Sequence, residues 1–162
     1  MPQLLWDASA LAKRYYEEAG SETVDALFSV TPSAAMLIPY MGYAETAAIL
    51  RRKFNGGLLD PLAFQQARLA IENEVLLGLN FGLLTMDDAD ILSGIALTDR
   101  HNINSTDAAI LSALGRYVQA QPPAAPTCLL VAADQRLLRA ASAEGLRTLN
   151  PELIAAADVP AL

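Results

Sequence analysis

Leu4-Leu5-Trp6-Asp7-Ala8-Ser9-Ala10-Leu11-Ala12-Lys13 carries a strand, an acid and a helix start in one short passage. Leu4, Leu5 and Trp6 form an apolar run too short for a helix and suited to a fully buried strand. Asp7 ends that strand, Ser9 is a natural helix N-cap, and Ala10, Leu11 and Ala12 are good helix formers. An acid at the carboxyl end of the first strand of an α/β chain stands where such sheets bind ligands. Taken alone, Asp7 is explained equally well as a cap for the helix that follows. The weight falls on whether other acids reach matching places.

Short apolar runs recur outward from this passage. Ala35-Met36-Leu37-Ile38 reads as a second buried strand closed by Pro39, and Leu83-Leu84-Thr85-Met86 as a weak third. Thr127-Cys128-Leu129-Leu130-Val131-Ala132 is the clearest strand, and Leu146-Arg147-Thr148-Leu149 the last. Between them, helices are expected from Ala10 to Glu18, closed by Gly20, and from Ser21 to the Thr31-Pro32 break. A third runs from Gly42 to Lys53 with Glu45 in its first turn and Arg51-Arg52-Lys53 at its end, the order the helix dipole favours. Asn55-Gly56-Gly57 turns the chain, and Asp60-Pro61 starts a long helix to about Leu79, giving an antiparallel helical hairpin. Further helices span Asp87 to His101, the segment capped by Asn104-Ser105-Thr106, and Asp134 to Glu144, closed by Gly145. Strands alternating with helices imply a parallel sheet covered on both faces. The Gln121–Pro126 loop is no domain boundary, because too little chain follows it to fold alone. No internal repeat is visible, and one domain over 1–162 is expected.

Composition sets bounds. Of 162 residues, 53% are hydrophobic and 18% charged, which describes a globular chain with apolar surface to spare for a partner. No apolar run is long enough to span a membrane, and Met1-Pro2-Gln3 does not open a signal peptide. Cys128 is the single cysteine, which excludes an internal disulfide and thiol–metal clusters and points to the cytoplasm. The net charge of −7 argues against nucleic acid at first sight, but two bound divalent cations would bring it to −3.

Four acids stand at comparable places. Asp7 and Asp134 follow buried strands, while Glu45 and Asp107 lie near helix starts. Each alone is an ordinary cap or dipole partner. Together they would concentrate negative charge that must take up protons or bind cations. Oxygen ligands without His or Cys suit Mg²⁺ or Mn²⁺ rather than zinc. The matching chemistry is two-metal hydrolysis of a phosphodiester, with ions roughly 3.5–4 Å apart.

At this point the residues carry a resemblance. Asp7-Ala8-Ser9-Ala10-Leu11-Ala12-Lys13 with Tyr16-Glu17-Glu18 and Gly20-Ser21-Glu22 resembles the opening block of PIN-domain proteins of the VapC ribonuclease-toxin type. Ala44-Glu45 resembles their second acidic site, and Ser105-Thr106-Asp107-Ala108-Ala109-Ile110-Leu111 the third. Val131-Ala132-Ala133-Asp134-Gln135-Arg136-Leu137, trailed by Gly145-Leu146 and Asn150-Pro151, resembles the closing block. The resemblance covers nearly the whole chain, four fragments in the right order. It implies an α/β PIN-like domain with a four- to five-stranded parallel sheet flanked by helices. It further implies a Mg²⁺- or Mn²⁺-dependent endoribonuclease that cleaves RNA by metal-activated water, paired with a VapB-like antitoxin. Asp7, Glu45 and Asp107 would be the core metal ligands, Asp134 would hold or orient the second metal, and Ser9 and Thr106 would donate from behind. Two departures bear on Asp134: relatives often carry Ser or Thr where this chain has Ala132, and the loop before that strand is long. The apolar helices early in the chain and the helical hairpin would bury against an antitoxin and a second copy, as a homodimer.

The remaining polar residues have plainer readings. Asp87, Asp88 and Asp90 read as helix N-terminal charges, and Asp99 stays open. His101 has no second histidine and reads as a surface or loop residue. Arg51, Arg52 and Lys53 suit helix-end solvation as well as phosphate contact, whereas Arg14 and Arg136 lie close to proposed ligands and are the stronger RNA candidates. Tyr15, Tyr16, Tyr40 and Tyr43 read as core or rim, and Trp6 and Cys128 as packed in central strands. Two rivals share the fold: a housekeeping RNA-processing nuclease, and a metal-free partner-binding module that Ala132 would suit. An aspartyl-phosphate receiver is excluded, since it requires a lysine after a late strand and none follows Lys53.

Overall fold

In the computed structural model, which describes residues 2–78 and 80–161, five short strands pair in parallel. They are β1 (Gln3–Trp6), β2 (Met36–Pro39), β3 (Gly82–Leu84), β4 (Cys128–Val131) and β5 (Arg147–Leu149), in the order β3-β2-β1-β4-β5. The register sets Leu4 beside Met36 and Leu129, and Trp6 beside Val131. The two-residue repeat of a strand then divides the core. Leu4, Trp6, Met36, Ile38, Leu129 and Val131 enter one apolar cluster, while Leu5, Leu37 and Leu130 enter the other.

Helices close both faces. On the first lie α1 (Ala8–Leu11), α2 (Ser21–Val30), α3 (Tyr40–Asn55) and α4 (Pro61–Ile71), contributing Leu11, Val24, Leu27, Leu50 and Ile71. On the second lie α5 (Asp88–His101), α6 (Ser105–Gln119) and α7 (Gln135–Ala143), contributing Leu97, Ile110, Leu114 and Leu137. The hairpin of α3 and α4 is present, with Phe54 and Phe64 stacked at 4.8 Å near its turn. Trp6 is fully buried and its ring lies 5.1 Å from that of Phe28. Among the described residues, no helix is long and apolar enough to cross a membrane.

Several boundaries differ from the sequence reading. The first helix stops at Leu11 and tightens into a single turn over Ala12–Arg14, well short of Glu18. The Lys13 carbonyl, which a continuing helix would give to Glu17, instead accepts the Ser21 hydroxyl at 2.8 Å. Lys13 itself is buried and bridges Glu18 (3.1 Å) and Glu152 (2.7 Å), tying the passage after α1 to the chain's last segment. Gly20, at φ +87°, opens α2, and a Cβ there would lie 3.0 Å from the Pro151 backbone. Helix α3 begins directly at Tyr40 with Pro39 as its N-cap, which moves Glu45 from the first turn into the second. Helix α4 passes at Glu72 into one wider π-type turn ending at Leu76, and the expected end at Leu79 lies outside the described residues.

Candidate active site

Strand order reverses at β1, with β2 on one flank and β4 on the other. Loops leaving the carboxyl ends of neighbouring strands diverge at such a point and open a crevice. Asp7 and Asp134 flank it. The Asp7 N–H extends the strand pairing by donating to Val131 at 3.0 Å. Asp7, not Ser9, is the N-cap of α1: its backbone is extended and its Oδ2 accepts the Ser9 N–H at 2.8 Å. Asp134 caps α7 in the same manner, Oδ1 accepting the N–H groups of Arg136 (2.7 Å) and Leu137 (3.1 Å).

The other two acids arrive on helices. Asp107 is the third residue of α6, whose N-cap Asn104 accepts the Asp107 N–H at 2.8 Å. The Asn104 amide donates back to Asp107 Oδ2 at 2.7 Å. Asn104, rather than Thr106, is therefore the side chain that steadies Asp107. Its signal was legible as a helix N-cap three residues before an acid, close enough for the cap's amide to reach the carboxylate. Glu45 projects half-buried from the second turn of α3.

These acids share one field. Asp7 is only 4% exposed, and burial pushes its carboxyl above the usual aspartate range, with the Asp134 charge adding to the effect. Glu45 is pushed up to about 7 by burial first and then by Asp7 and Asp107, against a lowering by Arg52. Asp107 is pushed up to about 6 by burial and by Asp7 and Asp134, against lowering by Arg136 and Asn104. Asp7 and Asp107 thus lie within electrostatic reach of each other and of both Glu45 and Asp134, which brings together four separated segments. Their donor chemistry fits a hard divalent cation: carboxylates only, repelling one another in a partly buried crevice. As the side chains stand, no three of them surround a common point among the described residues.

Other candidates lie elsewhere. Arg14 pairs with Asp25 (2.7 Å) and Glu74 (3.0 Å) and stacks over Phe28, so it is engaged away from the acids. Arg51 lies over Phe64 at 4.9 Å, and Lys53 pairs with Glu18 at 2.6 Å. Of that basic run, Arg52 is the residue whose charge acts on Glu45. Asp87 and Asp90 form a reciprocal cap at the start of α5, and the buried Asp90 also takes Arg116 at 2.6 and 2.8 Å. His101 is tied to Glu144 at 2.7 Å. Tyr40 is exposed, while Tyr15, Tyr16 and Tyr43 pack against the core.

No protein-family model matches the sequence, and no curated protein gives a significant match. Solved structures do. A FitAB complex bound to an IR36 DNA fragment aligns over 94% of this chain and 97% of its own, with TM-score 0.66 and 13% identity. PAE2754 from Pyrobaculum aerophilum aligns over 99% and 98%, with TM-score 0.65 and 16% identity. The fold is PIN-like. FitAcB from Neisseria gonorrhoeae agrees, over 93% of this chain and 99% of its own, with TM-score 0.61 and 14% identity. The likeness covers 93–99% of this chain, and identities of 13–16% limit it to the fold.

Proposed function

We propose that this chain is a metal-dependent endoribonuclease and the toxin of a VapBC-like toxin–antitoxin pair acting in the cytoplasm. The observation that carries the nuclease reading is the shared field of Asp7, Glu45, Asp107 and Asp134 at the strand-order reversal of a PIN-like sheet. In this reading Asp7, Glu45, Asp107 and Asp134 hold Mg²⁺ or Mn²⁺. A bound ion of this kind supplies Lewis-acid activation of water and charge relief for the leaving oxygen of a phosphodiester. The protein's own part is placement. Asn104 aims Asp107, the first N–H groups of α7 aim Asp134, and Asp7 is held in the buried floor between them. Arg52 and Arg136 are exposed beside the acids and receive the RNA backbone.

The toxin reading draws on the family resemblance and on the FitAB neighbour. Exposed apolar residues support a partner surface: Leu62, Leu69 and Leu77 along the helical hairpin, and Ile91, Leu92 and Ile95 on α5, are each more than half exposed. We assign these faces to a VapB-like antitoxin and to a second copy in a homodimer.

The test is cleavage of total cellular RNA by purified, antitoxin-free protein, with and without Mn²⁺, beside Asp7→Asn. Discrete fragments that require both Mn²⁺ and Asp7 are expected. Intact RNA in every lane, from folded protein, would overturn the nuclease and leave a partner-binding module. Growth arrest on expression, relieved by a co-expressed antitoxin, separates a toxin from a housekeeping RNA-processing enzyme.

A further inference from the structure

Ser9 uses the full capacity of its hydroxyl to join the two turns that carry Asp7 and Asp134. The Oγ–H donates to Asp7 Oδ2, and Oγ accepts the N–H groups of Ala133 (2.9 Å) and Asp134 (3.2 Å). A hydroxyl has one donor and two acceptor sites, so all are filled. The two turns sit on neighbouring strands, β1 and β4, and belong to segments 125 residues apart in sequence. Ala132, two residues before Asp134, is fully buried and carries no side-chain polar atom. The β4–α7 turn therefore has no hydroxyl of its own at that place. Asp134 is gripped on its other side by the α7 N–H groups, which fix its carboxylate to the helix but not to Asp7.

We propose that Ser9 is the positioning residue that fixes Asp134 against Asp7, a role whose catalytic consequence rests on the nuclease reading. Ser9 acts through the backbone of the opposite turn. Removing its hydroxyl leaves the Ala133 and Asp134 N–H groups without their acceptor, while Asp7 keeps the Ser9 N–H and its cap of α1. Loss should therefore loosen one turn and leave α1 in place. Threonine at this position keeps the hydroxyl on Cβ and should preserve the tie.

The experiment compares the full-length parent, Ser9→Ala and Ser9→Thr by two readouts. Amide hydrogen exchange at Ala133 and Asp134, followed by NMR, is expected to speed up in Ser9→Ala and to stay at the parent rate in Ser9→Thr. The Mn²⁺ concentration for half-maximal RNA cleavage is expected to rise about tenfold in Ser9→Ala, the loss typical when a group behind a metal ligand is removed, and to recover in Ser9→Thr. Parent-like exchange and parent-like Mn²⁺ demand in Ser9→Ala would overturn the assignment. So would a threonine variant that fails as alanine does, which would mark packing rather than the hydroxyl. If the parent itself cleaves no RNA, the nuclease reading falls, and the exchange rates alone then support or overturn the Ser9 tie.

Discussion

Glu45→Gln should stabilise the metal-free protein at alkaline pH while abolishing the RNA cleavage proposed for it. In the unfolded chain Glu45 titrates at its ordinary value of 4.5, and in the fold at about 7. Between those values the folded protein binds more protons than the unfolded chain, so stability falls as pH rises through the window. Below pH 4.5 glutamate and glutamine are both neutral, and the substitution changes little. Above pH 7 the parent carries a charge that burial, Asp7 and Asp107 all disfavour, and the variant does not. A shift of this size corresponds to about 3 kcal/mol at full strength. Glu45 is only half-buried, and solvent screening brings the expected gain to about 1–2 kcal/mol at pH 8. For a domain of this length that is roughly 2–6 °C in Tm. Thermal unfolding of parent and variant in EDTA at pH 4.5 and pH 8 reads the effect directly. Saturating Mn²⁺ should reverse the order at pH 8, because only the parent keeps all four carboxylates to bind it. A variant less stable than the parent at pH 8 without metal, or a gain of equal size at both pH values, would refute the reasoning. Stability gained where activity is lost is the mark of charges held together for function.

Two further outcomes are expected. Gly94 sits where α5 crosses α6, and a Cβ there would meet the Ala109 nitrogen at 2.9 Å and the Ala108 carbonyl carbon at 3.0 Å. Both are backbone atoms that cannot turn aside, so Gly94→Ala should cost about 1–3 kcal/mol in urea unfolding. A loss under about 0.5 kcal/mol would show that the helices slide apart freely. In an Asp7→Asn background that does not cleave, Arg136→Gln should flatten the salt dependence of single-stranded RNA binding by about 0.7 in log–log slope. An unchanged slope would remove Arg136 from the RNA path.

Much of this was readable from local pattern. The apolar runs at Leu4–Trp6, Met36–Ile38 and Leu129–Val131, the Asp60-Pro61 helix start and the Asp87 cap depend on neighbours within a few residues. Such features survive into any fold the chain adopts. The same holds for the four acids as a set, since strand ends and helix starts in a parallel α/β chain converge at its edge. What each acid experiences there was not local. The raised values of Glu45 and Asp107 come from burial and from partners on other elements, and both depend on which strands are neighbours. Arg14 and Lys53 read as free basic residues until the fold brought Glu74 and Glu18, 60 and 35 residues away, into ion pairs with them. Ser9 read as a cap and, from the resemblance, as a donor behind the acids; the fold gave the cap to Asp7 and made Ser9 the bridge to a turn far along the chain. Periodicity and capping chemistry are written along the backbone and set the elements. Desolvation and long-range pairing arise only when distant segments share a volume, and so they belong to the tertiary structure alone.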